Sequence, residues 1–422
     1  MPTTKTYEPN TVFSDEFLRK IPKTDLHVHL DGSVRVQTLV ELCEQQGLPL
    51  PAKTADELNR CLFKDDYRNL EEYLECFAVT TAALRTADAL ERVSYELAVD
   101  EFDVGVRYLE VRFAPQLNAV PGKLSVEEVL LAVDRGLRRA RDEYNARPAV
   151  ASGEEPEYDY GMIVCAMRFF LPQFSPYYEQ FWEMHKHEDP HIIYGLASMS
   201  LITTAHAVRQ EHGIPIVALD IAGAEHGYPA EDHAQAYGFA HKKFFNKTVH
   251  AGEGYGPESI FQAITDLHAE RIGHGLHLFS AEHVKAEKNA KDAQAFVDYL
   301  SEYISRNRVC LEVCLSSNLQ TLPELEGDLT RHPLRQMLDR RLAVTICTDN
   351  CTVSKTTVVR ELRLAADAFR LTPYQMKDIV VHGFKRSFMD RPYVDKRRYN
   401  HAIIAYYDKI AQEYDVKISP NY

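Results

Sequence analysis

The stretch KTVHAGEGYGPESIFQAITDLHAERIGHGLHL, residues 247–278, reads as strand, helix, strand. KTVHAGE (247–253) and RIGHGLHL (271–278) are short apolar runs interrupted by polar residues toward their ends, and between them PESIFQAITDLHAE places apolar residues three and four apart. That spacing gathers side chains on one helical face, and such a helix between two short apolar runs is the repeating unit of a parallel sheet. Six further runs extend the pattern in both directions: TDLHVHL (24–30), VRYLEVRF (106–113), GMIVCAMRFF (161–170), IPIVALDIAG (214–223), VCLEVCLSS (309–317) and LAVTICTDN, ending at 350. Helical patterns separate them, among them VQTLVELCEQQ, the long stretch 70–104, SVEEVLLAVDRGLRRARDEY, AQAYGFAHKKFF, AQAFVDYLSEYISR and HPLRQMLDRR. Eight strands alternating with helices predict an α/β fold, a (β/α)8 TIM-type barrel with extra helices and loop insertions. An open doubly wound sheet shares the local signals, but the polar strand ends favour the barrel.

The chain, residues 1–422, is expected to form a single barrel domain with its core at about 20–390. Two segments read as insertions. ARPAVASGEEPEYDY (146–160) is acidic and contains Pro and Gly, as a surface loop before the third strand would. Residues 172–209, which hold the single tryptophan, Trp182, are too long for a plain connection and read as a helical lid beside the barrel mouth or as a dimer contact, so a homo-oligomer is left open. The region after 356 has a helical pattern and is expected to close the barrel.

Composition narrows the class of function. Hydrophobic residues make up 45% and charged residues 26%, a globular balance that argues against large-scale disorder. Acidic residues outnumber basic ones 62 to 48, a net charge of -14 that would repel a polyanion, so nucleic acid is not an expected partner. The N-terminus MPTTKTYEPN lacks an apolar run and no long uncharged apolar segment occurs, so neither a signal peptide nor a membrane span is expected and a soluble, cytoplasmic enzyme is the default. The eight cysteines form no C-x-x-C pair and read as reduced thiols; Cys165, Cys310 and Cys347 lie inside apolar runs as small hydrophobes.

Catalytic groups of such barrels come from the C-terminal ends of the strands. Here those ends carry His27-Val28-His29-Leu30-Asp31, Asp220-Ile221-Ala222-Gly223, His250-Ala251-Gly252-Glu253, Gly273-His274-Gly275, Ser316-Ser317-Asn318 and Thr348-Asp349-Asn350. His27 and His29 are two apart on a strand and face the same side, so they can share one ion. Spacing alone is weak evidence, because a second H-x-H occurs at His185 and His187 in a polar run that reads as solvated surface. His250 and Asp349 from other strand ends complete a mixed nitrogen and oxygen site suited to zinc, with a position left for water; iron, cobalt or nickel fit the same ligands. Zinc would bring the pKa of that water to about 7. Glu253, just past the fifth strand, is placed as a proton donor beside the ion, or else as a carboxylate at a helix N-terminus. His274, between two glycines, would orient or deprotonate the water, and His277 is expected to pack locally. GEGYG (252–256) has the wrong spacing for a phosphate loop.

Taken in order, HVHLDGS (27–33), EVRFAP (110–115), DIAG (220–223), HAGE (250–253), RIGHG (271–275), SSN (316–318) and TDN (348–350) resemble the adenosine deaminase family of the metal-dependent amidohydrolases, over about residues 20–390. The resemblance implies one zinc ion per chain on His27, His29, His250 and Asp349. It implies that Glu253 protonates purine N1, that His274 assists the hydroxide and that Asp349 accepts a hydrogen bond from the attacking water. His29, Asp31, Gly223 and Asn350 are the implied substrate contacts, with Asp31 at the ribose 5'-hydroxyl, the Gly223 amide at N3 and Asn350 at N7. The implied reaction is hydrolytic deamination of adenosine and 2'-deoxyadenosine, with other 6-aminopurines, or an amide or ester hydrolase on the same barrel, as alternatives. Departures are Asn350 in place of a usual Asp, Ala224 in place of an acid, and CLSSN in place of a CPTSN-like run. An Asn amide donates to N7 without the proton that an Asp would need.

Overall fold

The computed structural model describes residues 5–65, 67, 70–285 and 292–419; Met1–Thr4, part of the N-terminal stretch read above, lie outside them. Eight strands run parallel and pair in chain order: β1 Lys23–His29, β2 Val106–Phe113, β3 Asp159–Met167, β4 Ile216–Ala222, β5 Asn246–Ala251, β6 Arg271–His274, β7 Cys310–Val313 and β8 Ala343–Ile346. All eight residues of β2 are buried, because helices cover the outside of the sheet and side chains fill its inside, which is why these runs do not alternate between apolar and polar. The barrel is nearly closed. Its seam is a backbone latch just beyond β8: the His29 N–H donates to the Asp349 carbonyl and the Asp349 N–H to the His27 carbonyl, each at 2.7 Å.

The C-terminal region covers that seam. Helix Pro373–Arg386 starts on a capping box of Thr372 and Gln375 and lies against β1 and β8. A Cβ at Gly383 would sit 2.1 Å from Thr24 Oγ1, so only glycine lets this helix approach.

Several boundaries differ from expectation. The strand ends expected at 278 and 317 fall at His274 and Val313, because the chain turns out of the barrel there: His274 and Gly275 adopt left-handed backbone, and Leu315–Thr321 is already helix. The stretch 70–104 is two helices, Leu70–Ala83 and Ala87–Asp103, the second capped by Thr86. Of 172–209, helix Pro190–His212 packs on β3 and β4 as the ordinary barrel helix between them. The extra piece is the short turn Pro172–Phe174 with helix Pro176–His185. Residues 146–160 are not loop throughout, since Pro148–Ala151 is a helical turn and β3 begins at Asp159. His187 is exposed and His185 half-exposed, as expected of a solvated pair. All eight cysteines are free. Among the described residues no helix is long and apolar enough to cross a membrane.

The barrel interior is not purely apolar. Arg112 pairs with Asp220 at 2.9 Å and Glu312 at 2.8 Å, and Arg271 pairs with Glu312 at 2.6 Å and Glu110 at 2.5 Å. All five side chains are buried. Burial alone would raise the Glu312 carboxyl, yet Arg112 and Arg271 outweigh it and hold the group well below the carboxylate range.

Candidate active site

Four candidate ligands meet at the top of the barrel. His29 Nε2 lies 3.2 Å from His250 Nε2, and His27 Nε2 and His29 Nε2 each lie 3.5 Å from Asp349 Oδ1. Atoms bound to one tetrahedral ion at roughly 2.0–2.1 Å would be about 3.3 Å apart, so the spacing fits a shared cation. The tautomers fit as well. His27 Nδ1 contacts Glu312 Oε2 at 2.8 Å and His250 Nδ1 contacts Asp220 Oδ2 at 3.0 Å. Each Nδ1–H donates to its carboxylate, which leaves both Nε2 lone pairs facing the centre. His27 Nε2 is buried and without a hydrogen-bond partner, an arrangement that costs free energy unless a cation takes the lone pair. The inner ion pairs therefore aim the ligands. Burial would raise Asp220, but His250 and Arg112 outweigh it and keep it a carboxylate.

Two site residues, His274 at φ 65° and Asp349 at φ 65°, hold left-handed backbone that costs a side-chain-bearing residue free energy. His274 belongs to the same cluster: one ligand atom from each of His27, His250, His274 and Asp349 falls within 4.8 Å of the others. Close approach explains two glycines. A Cβ at Gly32 would sit 1.7 Å from Asn350 Oδ1, and one at Gly273 would sit 2.9 Å from His27 Cε1.

A cavity of about 510 Å³ opens from the cluster. Asp31, Gly223, Glu253, His274 and Asn350 line its inner part together with His29 and His250, and Phe77, Leu117, Met167, Phe169 and Phe174 make an apolar wall. Asp31 is buried with Oδ1 unpartnered, and burial pushes its carboxyl up to about 6. Gly223, at φ 110°, presents backbone that a side chain would strain. Asn350 Nδ2 donates to Tyr73 Oη at 2.7 Å, a partner the sequence did not suggest. His277 packs locally, against Ser280 and His283.

Glu253 Oε2 is 3.6 Å from His274 Nε2. Burial, then the charges of Asp349 and Glu225, push its carboxyl up to about 8, so it holds a proton at neutral pH. Its loop is pinned by Glu225, whose carboxylate accepts from the N–H groups of Gly252 at 3.0 Å, Glu253 at 2.8 Å and Gly254 at 2.9 Å, and from the Ser259 hydroxyl. Sequence reading missed Glu225 because it lies in a polar loop past β4, where an acid normally means solvent. It also passed over the charges Glu110, Arg112, Arg271 and Glu312, whose signal was present: charged residues inside runs that are otherwise apolar.

The adenosine deaminase family profile matches residues 22–188 and 194–404, most of the described barrel. The chain belongs to the adenosine deaminase family. Among curated relatives in this family, an adenosine deaminase of Vibrio vulnificus is 32% identical over 369 residues, 87% of this chain and 94% of its own. A probable adenosine deaminase of Dictyostelium discoideum is 31% identical over 386 residues, 91% of this chain but 43% of its own length. Among solved structures, a zinc-bound amidohydrolase from Burkholderia ambifaria superposes with a TM-score of 0.75 at 20% identity, covering 99% of each chain, a likeness of fold. Family membership makes the chain a metal-binding hydrolase of the C–N bond-cleaving class, on the barrel described above.

Proposed function

We propose that this chain deaminates adenosine and 2'-deoxyadenosine hydrolytically, releasing ammonia, with a single zinc ion on His27, His29, His250 and Asp349. The observation that carries the reading is the place of Glu253, half-buried 3.6 Å from His274 at the rim of a cation cluster inside a cavity with an apolar wall, where its carboxyl is pushed up to about 8. A hydrolase of amides or esters needs the cation but no acid held proton-loaded for a ring nitrogen. When bound, the zinc makes water nucleophilic at neutral pH. Glu253 gives its carboxyl proton to purine N1, which makes C6 electrophilic. Asp349, kept ionised although burial opposes it because His27 outweighs that effect, accepts a hydrogen bond from the attacking water. One proton of the water leaves with the 6-amino group as ammonia, the other returns to Glu253 as C6 becomes a carbonyl, and N1 keeps the proton it received. Asp31 accepts from a ribose hydroxyl, Gly223 N–H and the Asn350 amide meet the purine edge, and the apolar wall excludes bulk water.

A second reading concerns the 5'-substituent. Arg85 is the one cation lining the cavity among the described residues; it is half-buried, with Nε unpartnered, Nη2 on the Phe174 carbonyl at 3.1 Å, and no ion pair to a described acid. It favours an anionic group on the sugar, whereas Asp31 favours a hydroxyl. Purine absorbance and ammonia release by zinc-loaded protein, compared for adenosine, 2'-deoxyadenosine, adenine, AMP and 5'-methylthioadenosine, test both readings. Higher kcat/KM on AMP than on adenosine would favour the second reading, and no turnover of any of the five would reject both.

A further inference from the structure

We propose that His332 and Asn318 are positioning residues that fix His274 as a hydrogen-bond donor at Nε2 and so keep it out of the cation's ligand set. The proposal deepens the reading above by giving His274 one of the two roles its place in the cluster allows.

The argument starts at a backbone amide, which can only donate. Leu334 N–H lies 3.0 Å from His332 Nδ1, so that nitrogen must present its lone pair. His332 is 2% exposed, and burial lowers its pKa to about 3, so the ring is neutral and its single proton is on Nε2. Nε2 lies 3.2 Å from Asn318, and a donor there requires the amide oxygen of Asn318 to face it. The NH2 of Asn318, itself fully buried, then faces His274 Nδ1 at 3.2 Å and donates to it. His274 is 1% exposed, and a ring that accepts at Nδ1 carries its one proton on Nε2. Four groups thus pass a single direction of donation from helix Leu334–Asp339 to the catalytic cavity, with no alternative assignment once the first amide is fixed.

The consequence is chemical. Nε2 is the atom on the Glu253 side, 3.6 Å from its carboxyl, and an N–H cannot ligate a metal. Of the five groups gathered at the cluster, His274 is therefore the one that donates, to an oxygen developing negative charge or to the attacking water. It does not serve as the resting base for that water. A pair of residues that merely fills space would have no effect on which nitrogen carries the proton.

Nitrogen-15 NMR of histidine side chains in metal-free and zinc-loaded protein reads the tautomers without turnover. His274 and His332 are expected as neutral rings protonated at Nε2; a His274 proton on Nδ1 in both forms would overturn the proposal. In Asn318→Asp the carboxylate accepts from both rings, so the His274 proton should move to Nδ1 and free Nε2. We expect kcat to fall by about a hundredfold with KM changed far less, and the absorption spectrum of cobalt-substituted protein to shift as another nitrogen reaches the ion. His332→Gln retains a donor toward Asn318 and His332→Leu does not, so the Gln variant should keep at least about tenfold more kcat than Leu. Equal kcat for Gln and Leu variants, with unchanged His274 shifts, would also overturn the relay. If the wild-type protein turns over no 6-aminopurine nucleoside, the proposed activity fails while the tautomer measurement still decides this inference.

Discussion

At the scale of single residues, the decisive group is Glu253. Its pKa is raised, so the protonated form is present at neutral pH and lost as pH rises through about 8. Burial raises it most, the charges of Asp349 and Glu225 raise it further, and His27 and Thr321 lower it. An acid required in protonated form therefore gives an alkaline limb in kcat near that value, measurable with adenosine from pH 6 upward. Glu253→Gln should keep its zinc by metal analysis and lose about 10² to 10⁴ in kcat, the usual contribution of a general acid. Equal loss of metal and activity would place Glu253 among the ligands instead. Asn350 offers a second test. Its amide spends one hydrogen on Tyr73 and needs no protonation to donate another. Asn350→Asp must be protonated to do the same, beside the carboxylates of Asp349 and Asp31, so its KM for adenosine should rise steeply with pH while the parent's stays flat. Superimposable profiles would count against a contact between Asn350 and purine N7.

At the scale of elements, the loop after β5 owes its shape to one buried acid. Three successive amides and a hydroxyl converge on Glu225, and a buried carboxylate that loses such donors, or donors that lose it, costs about 1–3 kcal/mol for each unmet group. Glu225→Ala should lower kcat by about tenfold or more, and amide exchange at Gly252, Glu253 and Gly254 should accelerate together. Unchanged exchange would mean the loop is held by something else. The same loop shows what sequence could and could not reveal. The strand ends were legible because His27, His250 and Asp349 interrupt apolar runs, and a polar residue there has to face the barrel mouth. Element lengths were less so, since where a strand stops depends on local backbone such as the left-handed turn at His274 and Gly275. Glu225, Tyr73 and His332 were illegible for a different reason. Each sits in a segment that looks ordinary alone and acquires its role only from a partner far along the chain.

At the scale of the whole molecule, the proposed ligands come from β1, from β5 and from just beyond β8, so a bound ion would tie together parts of the barrel that the backbone alone joins loosely. A ligand held only by the folded state stabilises it by RT ln(1 + [L]/Kd), about 4 kcal/mol at a thousandfold excess over Kd. Chelation should therefore lower the melting temperature by several degrees, and restoring zinc should return it. Melting that ignores chelator would argue against a cation shared among these strands. The inner lattice of Arg112, Arg271, Glu110, Asp220 and Glu312 acts on the same scale, because it both fills the barrel and orients His27 and His250.

The latch at the seam has one more consequence, for the order of assembly. His27 and His29 leave the ribosome more than 300 residues ahead of Asp349, and the carbonyl and amide contacts that close the barrel belong to these same residues. Contacts so distant along the chain form late, after shorter loops have closed. Cation capture by the proposed ligands would thus report finished folding: a nascent or truncated chain can collapse, yet it lacks Asp349 until the final strand docks. In refolding followed by fluorescence, zinc should therefore alter the recovery of the native barrel more than the initial collapse of the chain.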